Sequence, residues 1–138
     1  MPQPGPQERD TCRDLVVPAI EAAGWQPEQV IEQFPVAAQR VVTLGGVTRQ
    51  LGSGYVDYAF SAVPGSPTVV VEAKRQYRSA EDGLQQALRY AQQLDAPLAY
   101  ATNGLDIIEH NLRTGHERRV TEFAAPAVAW DEYLQSLG

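Results

Sequence analysis

The segment Thr68-Val69-Val70-Val71, followed at once by Glu72-Ala73-Lys74, constrains this chain more than any other. Its four β-forming residues show no alternation of apolar and polar positions, which predicts a strand covered on both faces in the middle of a sheet. A carboxylate at the end of such a strand costs several kcal/mol if it is buried without a partner. The segment therefore predicts a central strand over residues 68–74 and a specific role for Glu72.

The preceding segment supplies a partner for Glu72. Residues 55–60 predict a second strand, and the turn over residues 63–67 folds the two strands into a hairpin. Asp57 lies fifteen positions before Glu72, so the hairpin can bring the two carboxylates face to face. Facing carboxylates repel and raise each other's pKa. A divalent cation removes this conflict, and hard oxygen ligands suit Mg²⁺.

Lys74 extends this site. Positions two apart on a strand share a face, so Glu72 and Lys74 point the same way while the Ala73 side chain points to the other face. The Ala73 carbonyl then becomes a possible third protein ligand for the metal. A site of this composition can activate a bound water and neutralise charge on a phosphorus centre.

The amine of Lys74 is itself unusual in this chain. A Glu-x-Lys triplet at a strand end is common and often marks only a solvated strand terminus. Here, however, Lys74 is the single lysine, whereas arginine occurs ten times. Lysine can act as a compact point charge and can lose a proton, which arginine does not. The composition favours a chemical role for this side chain.

A helix follows the hairpin. Ser79 is expected to cap it, with Asp82 completing something close to a capping box, and the helix is expected to end near Leu94. Its predicted inward positions are Leu84, Ala87, Leu88, Ala91 and Leu94.

One face of this helix carries a possible functional pair. Gln86 and Tyr90 are four apart and therefore lie one above the other, with Arg89 beside them and able to reach a phosphate. The alternative is a helix with an ordinary polar side.

The remaining elements surround this core. A helix is expected over residues 7–23 with a kink at Pro18, and a terminal helix over residues 126–137. Strands are expected over Val30–Val36, over 41–44 and 47–51 on either side of Gly45-Gly46, and over 98–102 and 106–111. This order predicts an α/β fold with a mixed central β-sheet flanked by α-helices. We expect one domain over residues 1–138, with residues 1–6 as a disordered tail.

Charge and cysteine content limit the functional classes. Eleven basic and 17 acidic residues give a net charge of −6, whereas domains that bind nucleic acid unaided are usually basic. The single cysteine, Cys12, has no partner in the chain, which indicates a reducing compartment. No apolar stretch is long enough for a membrane span and no signal pattern is present. We expect a soluble, cytoplasmic protein without membrane association.

In order and spacing, the candidate segments resemble the PD-(D/E)xK nuclease superfamily, in the branch that carries a Q-x-x-x-Y helix. Val56-Asp57-Tyr58, then Val70-Val71-Glu72-Ala73-Lys74-Arg75, then Gln86-Ala87-Leu88-Arg89-Tyr90 carry the resemblance. Within the superfamily the chain most resembles the N-terminal nuclease domain of type I restriction enzyme R subunits. Residues 11–25 look like the opening helix of that family, and residues 98–104 look like the strand and turn after the Gln/Tyr helix.

The resemblance implies a fold and a set of roles. The fold is the restriction-endonuclease-like core. Asp57, Glu72 and the Ala73 carbonyl would hold Mg²⁺, Lys74 would orient or activate the attacking water, and Gln86 and Tyr90 would position the DNA or this water. Cleavage would leave a 5′-phosphate and a 3′-hydroxyl. The implied partners are DNA, a helicase or translocase motor, and specificity and methylation subunits.

Two departures qualify the resemblance. Val56 replaces the proline of the superfamily's name, which is a frequent variation. The chain also has no G-x-x-x-x-G-K-[ST] phosphate loop, so ATP-driven translocation cannot be assigned to it. It is expected to be an excised domain, a small standalone relative or a fragment.

Three alternative functions fit the sequence less well. A Holliday-junction resolvase would present strongly basic faces, which the charge of −6 opposes. A catalytically silent docking module with the nuclease fold has no need of facing carboxylates. A histidine metal site is disfavoured because His110 and His116 are six apart and lack cysteine neighbours. Trp25 and Trp130 are expected to anchor a core or an interface.

Overall fold

The computed structural model describes residues 12–42, 45–46, 48–74 and 78–138. A π-helical segment, Cys12–Val16, leads into the first of three α-helices, which are α1 (Val17–Ala22), α2 (Leu84–Leu94) and α3 (Pro126–Ser136). The strands are β1 (Val30–Val36), β2 (Gln39–Val42), β3 (Thr48–Leu51), β4 (Gly54–Phe60), β5 (Val69–Ala73), β6 (Leu98–Thr102), β7 (Ile107–Asn111) and β8 (Glu117–Val120). Two 3₁₀ turns cover Pro27–Gln29 and Ala80–Gly83. The predicted tail over residues 1–6 lies outside the described residues.

The main sheet has six strands in the order β1-β4-β5-β6-β7-β8. Strands β5 and β6 are parallel, and the other neighbouring pairs are antiparallel. Strands β2 and β3 form a separate antiparallel hairpin. The predicted mixed sheet between helices is confirmed, and β5 is an interior strand with all five residues buried.

The two faces of the sheet carry different helices. On one face, α1 and α3 pack with Trp25 and Phe123 against a cluster that includes Val69, Val71 and Ala73. On the other face, α2 packs against a cluster that includes Val70. Because side chains alternate along a strand, Glu72 shares the face of Val70. The functional end of β5 therefore lies on the side of the sheet that α2 covers.

The first helix is less regular than its apolar stripe suggested. Within the described residues it is π-helical over Cys12–Val16 and α-helical over Val17–Ala22, with Pro18 at the junction. Proline lacks the N–H of an α-helical hydrogen bond, and its ring collides with the carbonyl four residues earlier. A wider turn before Pro18 accommodates the ring, so the predicted kink takes the form of a change in helix type.

The beginning of α2 also differs from the prediction. Ser79 does cap this segment, but its Oγ accepts from the N–H of Glu81, and the first turn is a 3₁₀ turn. The Asp82 carboxylate instead accepts from Nε of Arg78 at 3.0 Å. The expected capping box is therefore wrong, because the neighbouring arginine competes for the acidic side chain.

The hairpin predicted around Gly45-Gly46 is present as β2 and β3. Both glycines have positive φ, 98° and 82°. The ladder pairs Val42 with Thr48, whereas a two-residue turn at Gly45-Gly46 would pair Val42 with Arg49, so the predicted turn length is wrong although the hairpin is present. Its base is held by the buried side chain of Gln93 in α2, whose Nε2 donates to the carbonyls of Ala37 and Gly52 at 3.1 Å each. Strand β8 was not predicted. In the part of the chain that is described, no helix is long and apolar enough to cross a membrane.

Candidate active site

The two predicted carboxylates lie where the β4–β5 ladder opens. Paired residues run from Phe60 opposite Val69 to Tyr58 opposite Val71, so Asp57 and Glu72 are the next facing positions. There the side chains replace backbone acceptors. The N–H of Asp57 donates to Oε1 of Glu72 at 3.3 Å, and the N–H of Ala73 donates to Oδ2 of Asp57 at 2.8 Å. These bonds hold both carboxylates at the opening of the ladder.

Glu72 is buried and electrostatically destabilised as an anion. Only 4% of the residue is exposed. Burial, followed by the repulsion of Asp57, raises the pKa of Glu72 to about 8, although the Lys74 ammonium acts in the opposite direction. In the absence of a cation, much of this carboxyl group is therefore protonated at neutral pH. A bound divalent cation would reverse this preference.

This pKa predicts how the metal-free protein responds to pH. The folded state binds the Glu72 proton up to about pH 8, whereas the unfolded chain releases it near the ordinary value of 4.5. The contribution of Glu72 to the free energy of unfolding should therefore be largest below about pH 4.5. It should be lost as pH rises from there through about 8. The loss should be on the order of a few kcal/mol.

Urea denaturation in EDTA at a series of pH values measures this effect. The control is Glu72→Gln, which keeps the shape of the side chain but cannot titrate, so its stability should vary much less between pH 5 and 8. Parallel pH profiles for the two proteins would contradict the assignment.

Lys74 follows β5 directly and is anchored through its backbone. Its N–H donates to the carbonyl of Thr102 at 2.8 Å. The side chain is half-buried and lies beside Gly83, where an added Cβ would be 3.5 Å from Lys74 Cε and 3.3 Å from Glu72 Cβ. The turn before α2 thus lies against both Glu72 and Lys74. Glycine at this position allows the close approach.

Gln86 and Tyr90 meet as their spacing suggested. Nε2 of Gln86 donates to the Tyr90 hydroxyl at 2.9 Å. Gln86 is exposed, but Tyr90 is only 3% exposed and belongs to the cluster between α2 and the sheet. Of this pair, only Gln86 therefore faces solvent. The large apolar ring is buried, and only its hydroxyl meets a polar side chain.

The Tyr90 hydroxyl lies directly against Gly54, the first residue of β4, where an added Cβ would overlap it. We expect Gly54→Ala to lower the free energy of unfolding by about 1–3 kcal/mol, the usual cost of overpacking. Gly52→Ala is the matched control, because nothing lies within 4 Å of a Cβ there, and its effect should stay within about 0.5 kcal/mol.

Removing the hydroxyl tests whether it causes the clash. In the Tyr90→Phe background the Gly54→Ala substitution should cost less stability. The double mutant should therefore lose less stability than the sum of the two single losses. Additive effects in thermal or urea unfolding would show that this contact does not limit the packing.

Gln33 is a site residue that sequence reasoning missed. It lies on β1, and its Nε2 donates to Oδ1 of Asp57 at 3.3 Å. Its φ of 54° is positive, which is strained for a residue other than glycine. Such strain tends to occur where function constrains the backbone. No sequence pattern identifies this position, because Gln33 lies in an ordinary strand segment and its contact depends on the register of β1 with β4.

The histidines and tryptophans, which the sequence did not favour as site residues, have other surroundings. Nδ1 of His110 is 2.9 Å from Oε1 of Glu117, and His116 is exposed. Trp25 is 2% exposed in the core, and Trp130 stacks on Tyr133 with ring centroids 5.2 Å apart. Among the described residues no group of three or more His, Cys, Asp or Glu side chains could hold a metal ion.

Comparison with known proteins decides the family. A family model described as type I restriction enzyme R protein N terminus matches residues 27–124. This match spans Asp57, Glu72, Ala73, Lys74, Gln86 and Tyr90. The chain belongs to this family of R-protein N-terminal domains. The resemblance inferred from the sequence motifs is confirmed, and the chain is a nuclease-like domain of a type I restriction system.

Two relatives support this assignment. The type I restriction enzyme EcoAI endonuclease subunit of Escherichia coli is 30% identical over 133 residues, which cover 91% of this chain and 16% of that subunit. A solved fragment of an HsdR subunit of a type I restriction enzyme from Vibrio vulnificus YJ016 is 28% identical, with a TM-score of 0.79. That match covers 97% of this chain and 26% of the other chain. The R-protein N-terminal domain is thus a small part of both relatives.

Proposed function

We propose that this R-protein N-terminal domain is a Mg²⁺-dependent DNA endonuclease that hydrolyses phosphodiester bonds. The observation that supports this most is the pairing of Asp57 with Glu72 at the open end of the β4–β5 ladder, next to Lys74. Each carboxylate accepts a backbone N–H, but the repulsion between them opposes folding when both are charged. Their retention beside the single lysine fits a catalytic site better than it fits a structural feature or a silent docking module.

The donor set fits Mg²⁺. We assign the metal to Asp57, Glu72 and the carbonyl of Ala73. Mg²⁺ usually binds one or two carboxylates and keeps several waters, so the lack of a larger acidic cluster among the described residues suits it. The raised pKa of Glu72 also fits, because a cation would stabilise the anionic form. When bound, Mg²⁺ would lower the pKa of a water and neutralise charge on the phosphate.

The remaining residues then have distinct roles. Lys74 orients the attacking water or stabilises the charge that develops on the phosphate. Gln86 and the hydroxyl of Tyr90 position the DNA strand or the water. We propose that the products carry a 5′-phosphate and a 3′-hydroxyl. In the complete system, the domain would act with a helicase or translocase motor and with specificity and methylation subunits.

The charge of the domain sets the expected behaviour of the isolated chain. With a net charge of −6 it should hold DNA weakly, so cleavage should be slow, independent of sequence and strongly sensitive to salt. The test is to incubate the purified protein with supercoiled plasmid in Mg²⁺ or in EDTA, alongside Asp57→Ala. Nicking that requires both Mg²⁺ and Asp57 supports the proposal.

Two outcomes would contradict it. Absence of nicking at low salt with the folded wild-type protein would favour a silent docking module. Tight binding to one particular sequence by this chain alone would contradict the expectation that other subunits supply recognition.

A further inference from the structure

An open groove lies between α2, β3 and the end of β7, and its chemistry differs from that of the rest of the domain. The groove has a volume of about 890 Å³ and is lined by Gln85, Gln86, Arg89 and Gln92 of α2, together with apolar residues that include Leu51 and Leu112. No lining residue is acidic. Its polar side chains are therefore a guanidinium and three amides from α2, with His110 of β7 at the edge.

Arg89 is the cation of this groove. Its guanidinium carbon lies 4.8 Å from the centroid of the Tyr90 ring, a cation–π contact that fixes its position. Its Nε is buried and has no hydrogen-bond partner, and no described carboxylate lies within salt-bridge distance of it. Four other arginines of the described chain, Arg78, Arg113, Arg118 and Arg119, are ion-paired with carboxylates. A buried donor without an acceptor calls for an explanation, and a ligand oxygen would supply one.

The distribution of charge along the chain agrees with an anionic ligand. Residues 33–56 and 83–94 contain three arginines and no carboxylate, so all 17 acidic residues of the protein lie outside these two segments. The first segment includes the β2–β3 hairpin, and the second is helix α2. The two are joined by the hydrogen bonds of Gln93 at the hairpin base and by Nε2 of Gln39, which donates to the Gln93 carbonyl at 2.6 Å. These bonds place the two segments side by side, and neither segment contributes a carboxylate to the groove.

The groove adjoins the candidate active site. Gly83, directly before α2, contacts Glu72 and Lys74, and Gln86 belongs both to the groove and to the Gln86–Tyr90 pair. Gln86 lies three residues after Gly83, so the groove begins about one helical turn along α2 from the point where Gly83 lies against Glu72. Arginine and amide side chains are among the usual donors to phosphate oxygens in protein–DNA complexes.

We propose that this groove binds the sugar–phosphate backbone of the DNA beside the scissile bond, with Arg89 as the residue that contacts a phosphate. The inference rests on the proposed function and adds to it a specific binding surface. It also explains how an acidic domain can engage DNA, because no acidic residue lines the groove itself. The contact is with phosphate, so it should carry no sequence preference.

The test is the binding of fluorescein-labelled duplex DNA to the 138-residue protein at low salt in EDTA, measured by fluorescence anisotropy. Arg89→Gln should raise Kd by about tenfold, because one charge-assisted phosphate contact is lost. The slope of log Kd against log salt should fall by about 0.9, as expected for one neutralised phosphate. A second variant, Gln92→Glu, changes an exposed groove residue and should also weaken binding severalfold without disturbing the core.

Arg118→Gln is the matched control. It changes the net charge by the same amount as the other two variants, but Arg118 is ion-paired with Glu109, which bonds to Tyr100 on the opposite face of the sheet. Its Kd should stay within about twofold and its salt slope should not change. If all three variants weakened DNA binding equally, only net charge would matter. This result would overturn the proposal that DNA binds in the groove.

Cleavage separates this proposal from the proposed function. Suppose that the wild-type protein nicks plasmid with Mg²⁺ while Arg89→Gln and Gln92→Glu bind DNA normally. In that case the proposed DNA-binding role of the groove is wrong and the nuclease assignment stands. If the folded wild-type protein neither nicks nor binds DNA, both fail. If it binds through the groove but does not nick, the binding surface stands and the catalytic assignment fails.

Discussion

Lys74→Arg should reduce the rate of DNA cleavage at least 100-fold while the protein remains folded. The substitution keeps the positive charge but replaces a compact ammonium with a larger planar group. Lys74 lies against Gly83 beside Glu72, so the extra atoms must shift within a confined space. Misplacement near a reacting centre by about 1 Å can cost on the order of 100-fold in rate. Because the side chain is half-buried, we expect a loss in stability of about 1 kcal/mol or less.

Cleavage rates compared at matched folding decide the role of Lys74. The reciprocal control is Arg113→Lys, which exchanges the same two residue types in an ion pair with Glu132 outside the site. It should retain activity. Near-native cleavage by Lys74→Arg would show that Lys74 serves only as a charge at the end of β5.

Asp57→Asn should abolish Mg²⁺-dependent cleavage without destabilising the metal-free protein. The amide oxygen can still accept from the N–H of Ala73, which donates to Asp57 Oδ2 at 2.8 Å in the native protein. The pKa of Glu72 is raised first by burial and then by the charge of Asp57, and the substitution removes this second cause. The free energy of unfolding without metal should therefore stay the same or rise by about 0.5–2 kcal/mol.

Thermal unfolding with and without Mg²⁺ provides the readout. A ligand that binds only the folded state stabilises it by about 2.7 kcal/mol at 100 times its Kd, and this gain should appear in the wild-type protein but not in Asp57→Asn. A clear loss of stability in metal-free Asp57→Asn would mean that Asp57 serves mainly to close the end of the β4–β5 ladder. Unchanged stabilisation by Mg²⁺ would remove Asp57 from the metal site.

Much of the site's framework follows from short-range patterns. The uniform apolar run of β5 predicts an interior strand, and hairpin geometry then predicts that Asp57 faces Glu72. The spacing of Gln86 and Tyr90 predicts their contact on one helix. These inferences succeed because strand alternation and helical periodicity fix side-chain direction over a few residues.

Other features depend on long-range packing and could not be predicted in this way. Gln33 reaches Asp57 because of the register of β1 against β4, with a positive φ that no local motif indicates. The ring of Tyr90 is buried against the sheet and only its hydroxyl reaches Gln86, which helical spacing alone does not indicate. In each case a tertiary partner overrides the local preference.

A Mg²⁺ titration that follows cleavage and thermal stability in the same samples tests the metal-dependent site most directly. For the wild-type protein, one Kd for Mg²⁺ should describe both responses, because one binding event controls both. The nicking rate should reach half its maximum at that Kd, and the stabilisation should begin near the same concentration and grow by about 1.4 kcal/mol for each further tenfold rise in Mg²⁺. In Glu72→Gln both responses should disappear, whereas Arg118→Gln should behave like the wild type. Nicking in EDTA, or nicking and Mg²⁺ stabilisation that both persist in Glu72→Gln, would contradict the assignment of this site.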